Sequence, residues 1–295
     1  MNLLSDPRQI TLTSQMRDAL AKHVHQHKYD HGHALILSGG VGRGGAARLA
    51  ARGALRVGAG LVTLACPPAA LIENAAQLTT IMLRSIRDGD ALAALLEDAR
   101  INALCVGPGL GQDRARDMVP VALAAGRATV VDADGLSAFA DDPDMLFGLL
   151  HDACLLTPHS GEFARLFPDI AERLVTQSRD GASDGAKVSA TRAVALRAGC
   201  VVLFKGAQSV IAGPDGDAAI FSAQGETAAP WLASAGTGDV LAGFAAGLLA
   251  RGIAPMQAAE TAVWLHAGAA RRVGPGLIAE DLPEALPGLF RDLGL

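Results

Sequence analysis

The chain has 295 residues, half of them hydrophobic, enough to bury one large core or two modest ones, and one domain is the simpler reading. A net charge of −5 supplies no basic face for nucleic acid, so a small-molecule site is expected. No apolar run approaches the roughly 20 residues that span a bilayer, and a start carrying Asp6 and Arg8 lacks the apolar core of a secretion signal, so a cytoplasmic protein without a membrane partner is expected.

An N-terminal segment is expected over residues 1–30 and a single domain over 31–295. Residues 1–33 are polar and hold five of the eight histidines, His23, His25, His27, His31 and His33. No cysteine or paired carboxylate completes a metal site there, so they read as a solvated entry segment. Cys66, Cys105, Cys154 and Cys200 each fall in a short apolar run without a Cys-x-x-Cys partner, and read as small buried hydrophobes.

Ala34–Leu37 is a short apolar run that ends in Ser38-Gly39-Gly40-Val41-Gly42-Arg43-Gly44-Gly45-Ala46, before the helix-prone stretch Ala47–Val57. The glycines satisfy G-x-G-x-x-G, but the next strand, Leu61–Cys66, ends in Pro67 without the acidic residue of a dinucleotide fold. A Walker loop is excluded too, because no Gly-Lys-Ser/Thr follows. The loop still offers amides and Arg43 to phosphates.

The same grammar repeats. Ile101–Val106 leads to Gly107-Pro108-Gly109-Leu110-Gly111, Ala128–Val131 to Asp132-Ala133-Asp134-Gly135, Ala153–Leu156 to Thr157-Pro158-His159-Ser160-Gly161-Glu162, and Cys200–Phe204 to Lys205-Gly206-Ala207-Gln208-Ser209. Such alternation predicts a parallel sheet covered by helices, with the turns converging on one crevice outside the carboxyl ends of the strands. Ser209–Ala212 and Ala218–Phe221, joined by a four-residue turn, read as a hairpin at an antiparallel edge. Residues 169–187, rich in Asp, Ser, Gly and Arg, read as a mobile loop. Helices are expected over Val240–Arg251 and Met256–Arg272 and near the C-terminus, and the surface of the second suggests self-association.

Ala233-Ser234-Ala235-Gly236-Thr237-Gly238-Asp239 opens the first of these helices. Small residues let the backbone turn tightly and leave amides unpaired at a helix start, which is an anion site. Asp239 in its first turn can accept a proton from an attacking hydroxyl, or it merely offsets the helix dipole. Asp132 and Asp134 either share a magnesium ion through waters or Asp134 caps a helix. His159 and Glu162 open a helix, where Glu162 fits a capping arrangement. Lys205, at the crevice rim, is a candidate phosphate or ribose contact.

In this order the motifs resemble those of the ADP/ATP-dependent NAD(P)H-hydrate dehydratases, a branch of the ribokinase-like superfamily. The resemblance runs from about residue 28 to about residue 290 and includes His27-Lys28-Tyr29, Gly45-Ala46, Leu55–Val62, the four turns above and Gly236–Gly243. It implies a three-layer α/β/α sandwich, and a reaction in which the S-epimer of NADH or NADPH hydrated at C6 (NADHX, NADPHX) is phosphorylated by ADP or ATP and phosphate is eliminated. It implies Asp239 as the base; Ala46, Gly111, His159 and Asp239 around the hydrated cofactor; and Lys205, Gly206, Ala207, Gln208, Ser209, Gly236, Thr237 and Gly238 around the nucleotide and its phosphates. Glu162, and more weakly Asp132, would organise Mg2+. The family usually reads Gly-Gly-Ser at the first loop, where this chain has Ser38-Gly39-Gly40 with Arg43. A homo-oligomer, with a tetramer as one form, is implied. With only some 30 residues before the first strand, a separate NAD(P)H-hydrate epimerase is the expected functional partner. The competing readings are a kinase of a small alcohol or vitamin precursor and a silent nucleotide binder.

Overall fold

The computed structural model describes residues 5–179, 183–223 and 225–295. Among these residues ten strands form one sheet: β1 (Arg8–Gln9), β2 (His33–Leu37), β3 (Leu61–Cys66), β4 (Met82–Ser85), β5 (Ala103–Val106), β6 (Ala128–Val131), β7 (Cys154–Leu156), β8 (Val201–Phe204), β9 (Gln208–Ala212) and β10 (Ala218–Ser222). Their order is β1-β10-β9-β8-β7-β6-β5-β2-β3-β4. All neighbours are parallel except β9, which runs antiparallel to both β8 and β10.

The hairpin is therefore present, but it is not the edge. The edge is β1, which pairs with β10 at Arg8↔Ala219, held by Arg8 to Glu260 (2.8 Å) and Asp217 (2.9 Å). Helix α1 (Ser14–Leu20) follows, capped by the Thr13 hydroxyl, which accepts from the Met16 amide at 3.1 Å. Ile10, Met16 and Leu20 are buried in the core, so this stretch is more than a solvated entry. His31 and His33 are buried as well, and His33 Nε2 lies 2.8 Å from the Thr63 hydroxyl. Among the described residues no group of three His, Cys, Asp or Glu side chains can hold a metal ion.

The remaining helices are α2 (Gly44–Arg56), α3 (Leu71–Ala75), α4 (Gly89–Leu95), α5 (Gln112–Ala124), α6 (Asp134–Ser137), α7 (Pro143–Phe147), α8 (Ser160–Leu166), α9 (Pro168–Arg179), α10 (Ser183–Ala198), α11 (Thr237–Ala250), α12 (Pro255–Val273) and α13 (Asp281–Asp292). Strand residues alternate between two cores. Ala34, Ile36, Cys105, Val130, Leu155 and Leu203 face α1, α2, α11, α12 and α13, whereas Leu35, Leu37, Leu104, Val106, Leu156 and Val202 face α4, α5 and α7 to α10. Burial on both faces explains why the strands read as unbroken apolar runs, and gives the expected α/β/α sandwich. All four cysteines are free and buried.

Residues 169–187 are not a loop where they are described; residues 180–182 of that stretch lie outside the described residues. Ile170 is buried, with Ala171 and Leu174 packed beside it at helical spacing, and Asp169 pairs with Arg197 (2.7 Å) and Arg173 (3.1 Å). The polar composition belongs to a solvated helix face. Helix α12 also departs from expectation. Residues 258–263 and 265–270 are buried within the chain, so it offers little surface for self-association.

Helices α2 and α11 pack backbone to backbone. A Cβ at Gly243 would fall 2.1 Å from the Ala50 carbonyl oxygen, and one at Gly247 2.5 Å from that of Ala54. This close approach brings the N-termini of both helices to the carboxyl ends of the central strands.

Candidate active site

The turns after β2, β5, β6, β7 and β8 converge as expected. Gly39 lies so close to Gly109 that a Cβ on it would sit 2.0 Å from the Gly109 oxygen, and Gly107 is packed equally tightly on the Asp132 carbonyl. Ala46, in the first turn of α2, lies beside Gly109, while Gly111 precedes α5 with its amide donating to Asp134 Oδ2 at 2.8 Å. The Arg43 guanidinium lies against Gly111, 3.1 Å from where a Cβ would stand. In the first loop the Gly42 amide donates to Glu73 (2.7 Å) and the Arg43 amide to the Gly40 carbonyl (3.0 Å), so these two amides serve the loop itself.

Asp132 and Asp134 do not point the same way. Between them Ala133 has φ 48° and ψ −119°, and it is the one non-glycine residue with positive φ among those described. The Gly135 amide donates back to the Asp132 carbonyl at 2.9 Å, closing a tight turn that costs about 1–3 kcal/mol in strain. The turn sends Asp132 to Lys205, with Nζ 2.6 Å from Oδ1, and Asp134 to the Gly111 amide. Asp134 is thus neither a helix cap nor paired with Asp132 toward one ion.

His159 is itself the cap of α8. Its Nδ1 accepts from the amides of Gly161 (2.9 Å) and Glu162 (3.3 Å), and Glu162 Oε2 accepts from the His159 amide (2.8 Å). Because Nδ1 accepts, the neutral ring carries its hydrogen on Nε2, which lies 3.3 Å from Glu162 Oε1. The imidazole unexplained by the sequence is therefore the first half of the capping box. Burial and then Asp132 raise the pKa of the Glu162 carboxyl, against Lys205 and His159.

Helix α11 starts without a side-chain cap, after Gly236 in the left-handed region (φ 87°). The amides of Thr237, Gly238 and Asp239 have no acceptor among the described residues. The Thr237 hydroxyl lies 2.8 Å from the Leu232 carbonyl, and His266 Nε2 lies 2.8 Å from the Thr237 carbonyl, fixing the first turn from both sides. Burial brings the His266 pKa down to about 4, so the ring is a neutral donor at pH 7. Nothing in the sequence singled out this residue.

Lys205 completes the arrangement. Its amide donates to the Pro158 carbonyl at 2.9 Å, and its Nζ lies 3.6 Å from where a Gly238 Cβ would stand. Burial works against the ammonium, but Asp132, Glu162 and Asp239 outweigh it and hold its pKa above the usual value. Asp239 feels the same surroundings with the opposite sign. Burial, then Asp132, with Asp134 and Glu162 behind them, push its pKa up to about 6 against the pull of Lys205. Gly206 and Ala207 form the β8–β9 turn beside it, and Gln208 and Ser209 open β9. The crevice thus joins an uncapped helix start, one ammonium and a carboxylate of unusual basicity. Separately, a groove of about 1000 Å3 along α2 and α13, lined by Arg48, Arg52, Arg56, Thr79 and Phe290, contains none of the candidate residues.

The family model described as NAD(P)H-hydrate dehydratase matches residues 34–285. The bifunctional NAD(P)H-hydrate repair enzyme Nnr of Moorella thermoacetica is 39% identical over 282 residues, covering 90% of this chain and 51% of the relative. The chain spans about half the length of the curated relatives it matches. Among solved structures, the ADP/ATP-dependent NAD(P)H-hydrate dehydratase of Bacillus subtilis, co-crystallised with ATP/Mg2+, is 25% identical with a TM-score of 0.76, covering 98% of this chain and 99% of that one. A ribokinase-like superfamily protein from Enterococcus faecalis, 20% identical with a TM-score of 0.72 and coverages of 96% and 98%, shares the fold. The order of turns along the sheet and the sequence match agree: this chain belongs to the NAD(P)H-hydrate dehydratase family.

Proposed function

We propose that the chain restores NADH or NADPH from the S-epimer of its C6-hydrated form, using ADP or ATP to phosphorylate the C6 hydroxyl before phosphate leaves. The observation that carries this reading is Asp239, a carboxylate of raised pKa in the first turn of α11, beside unpaired amides and the Lys205 ammonium. Asp239 accepts the hydroxyl proton as the oxygen attacks the terminal phosphorus, and the amides of Gly236, Thr237 and Gly238 receive the charge on the transferring phosphoryl group. The β8–β9 turn and the start of β9, Lys205–Ser209, cradle the nucleotide, while Ala46, Gly111 and His159 surround the hydrated nicotinamide.

Magnesium is usually held by one or two carboxylates, waters and substrate phosphates, so it does not require a three-ligand cluster, which the described residues lack. Asp132 and Glu162 raise the pKa of neighbouring carboxyls, and this surplus of negative charge fits a divalent cation. Those two residues would face its water shell, and the ion would supply charge neutralisation on the phosphates. A homo-oligomer such as a tetramer, a cytoplasmic location and an epimerase as functional partner belong to the same reading.

The test is recovery of reduced-nicotinamide absorbance after hydrated NADH is added with magnesium and ADP or ATP. Recovery that requires nucleotide is expected. No recovery by a folded, nucleotide-binding protein would transfer the reading to a small-alcohol kinase.

A further inference from the structure

Helix α10 carries Lys187 to the underside of the β8–β9 turn. Its Nζ donates to the Gln208 carbonyl, lies 3.4 Å from the Lys205 carbonyl and sits 4.2 Å from the centre of the Phe204 ring. A Cβ at Gly206 would fall 2.9 Å from the same nitrogen, so the ammonium fills the space below that glycine. Among the described residues no carboxylate pairs with Lys187, and burial alone draws its pKa down to about 8. A largely buried ammonium without a counter-ion is costly and has to be offset by its carbonyl and ring contacts.

Those contacts fall on both ends of one turn. A trans peptide directs its carbonyl and the next N–H to opposite sides, so holding the Lys205 carbonyl on Lys187 turns the Gly206 amide away from α10. That amide has no acceptor among the described residues. We infer that Lys187 is a positioning residue of the nucleotide site: it fixes the turn from below so that the Gly206 amide and the Lys205 ammonium stay directed at the phosphates. The inference rests on the nucleotide role proposed for Lys205–Ser209.

The test uses the full chain with Lys187→Met, which keeps the stem and removes the donors, and Lys187→Arg, which keeps donors and charge. Calorimetric titration with ADP or ATP and magnesium, without hydrated cofactor, gives the nucleotide Kd; turnover then gives both KM values and kcat. Lys187→Met is expected to weaken nucleotide Kd and nucleotide KM about tenfold, to leave the KM for hydrated cofactor and saturated kcat within about threefold, and to be largely rescued by Lys187→Arg. If Lys187→Met does not fold, Lys187→Gln is measured in its place. An unchanged nucleotide Kd in the variant overturns the inference alone, as does an equal loss in both KM values accompanied by a collapse in Tm. A wild-type chain that binds no nucleotide overturns the underlying reading and the inference with it.

Discussion

Replacing Asp239 with asparagine is expected to stabilise the protein at neutral pH while removing its turnover. Folding moves this carboxyl from its ordinary 3.8 to about 6, first through burial and then through Asp132, with Lys205 opposing. A carboxyl whose folded pKa exceeds its unfolded one contributes stability in the protonated form. That contribution is complete below about pH 4 and is lost as pH rises through about 6. At about 1.36 kcal/mol per tenfold change in proton affinity, the charged form carries about 3 kcal/mol of penalty at pH 7, which water at the half-buried carboxylate reduces to about 2 kcal/mol. Asparagine has nearly the same shape and no charge, so it removes the penalty. With an unfolding entropy of about 2.1 cal/mol/K per residue, this corresponds to a rise in Tm of about 3 °C for a chain of this length. Melts from pH 4 to pH 8 should show coincident curves at the acid end, a gap opening between about pH 4 and pH 6, and a level gap above that. Turnover should fall about 10²-fold or more. A variant less stable than wild type at pH 7, or a gap that does not vary with pH, would refute the reasoning.

Lys205→Met is expected to weaken nucleotide binding at least tenfold and, by leaving the buried Asp132 without its partner at 2.6 Å, to lower stability by about 3 kcal/mol or more; adding Asp132→Asn should restore Tm but not nucleotide affinity, and recovery of both refutes the assignment. Gly243→Ala places a methyl 2.1 Å from the Ala50 oxygen, so α2 and α11 must separate, and a loss of about 2–3 kcal/mol of stability, read as a lowered denaturant midpoint, is expected. An unchanged midpoint would contradict the close packing. Ala133→Gly relieves a positive φ and should raise Tm by about 1–2 °C, net of the entropy that glycine adds to the unfolded chain; a lower Tm would show that Ala133 is unstrained.

The sheet was legible because strands buried on both faces leave continuous apolar runs, and the candidate crevice because the runs before Ser38, Gly107, Asp132, Thr157 and Lys205 end in glycine-bearing turns. The outer edge was not legible. β1 is two residues long and its partner lies more than 200 positions away, at Arg8↔Ala219, so no local pattern marks it. Residues 169–187 misled because Ser, Asp and Arg dominate the composition, while the spacing of Ile170, Ala171 and Leu174 already carried the helix. In the site, the spacing of His159 and Glu162 exposed half of the capping box; the other half needed the imidazole to act as acceptor, which few caps do. The separate partners of Asp132 and Asp134 were not legible, for a physical reason. Two residues apart on a strand would share a face, but Ala133 leaves the strand conformation and separates the carboxylates.

The same turn explains how the crevice reconciles opposed requirements. A base must be charged yet basic, and a phosphate site must be positive yet accommodate that base. By sending Asp132 to Lys205, the turn at Ala133 places a buried ion pair within electrostatic reach of Asp239 and Glu162. Burial and then Asp132 raise the proton affinity of Asp239, and the ammonium keeps it from rising further. Proton affinity at Asp239 is thus set by a balance of neighbours rather than by burial alone. In the proposed reaction a phosphate beside α11 would enter that balance as one more negative charge and would make Asp239 more basic at the step where a proton must be taken.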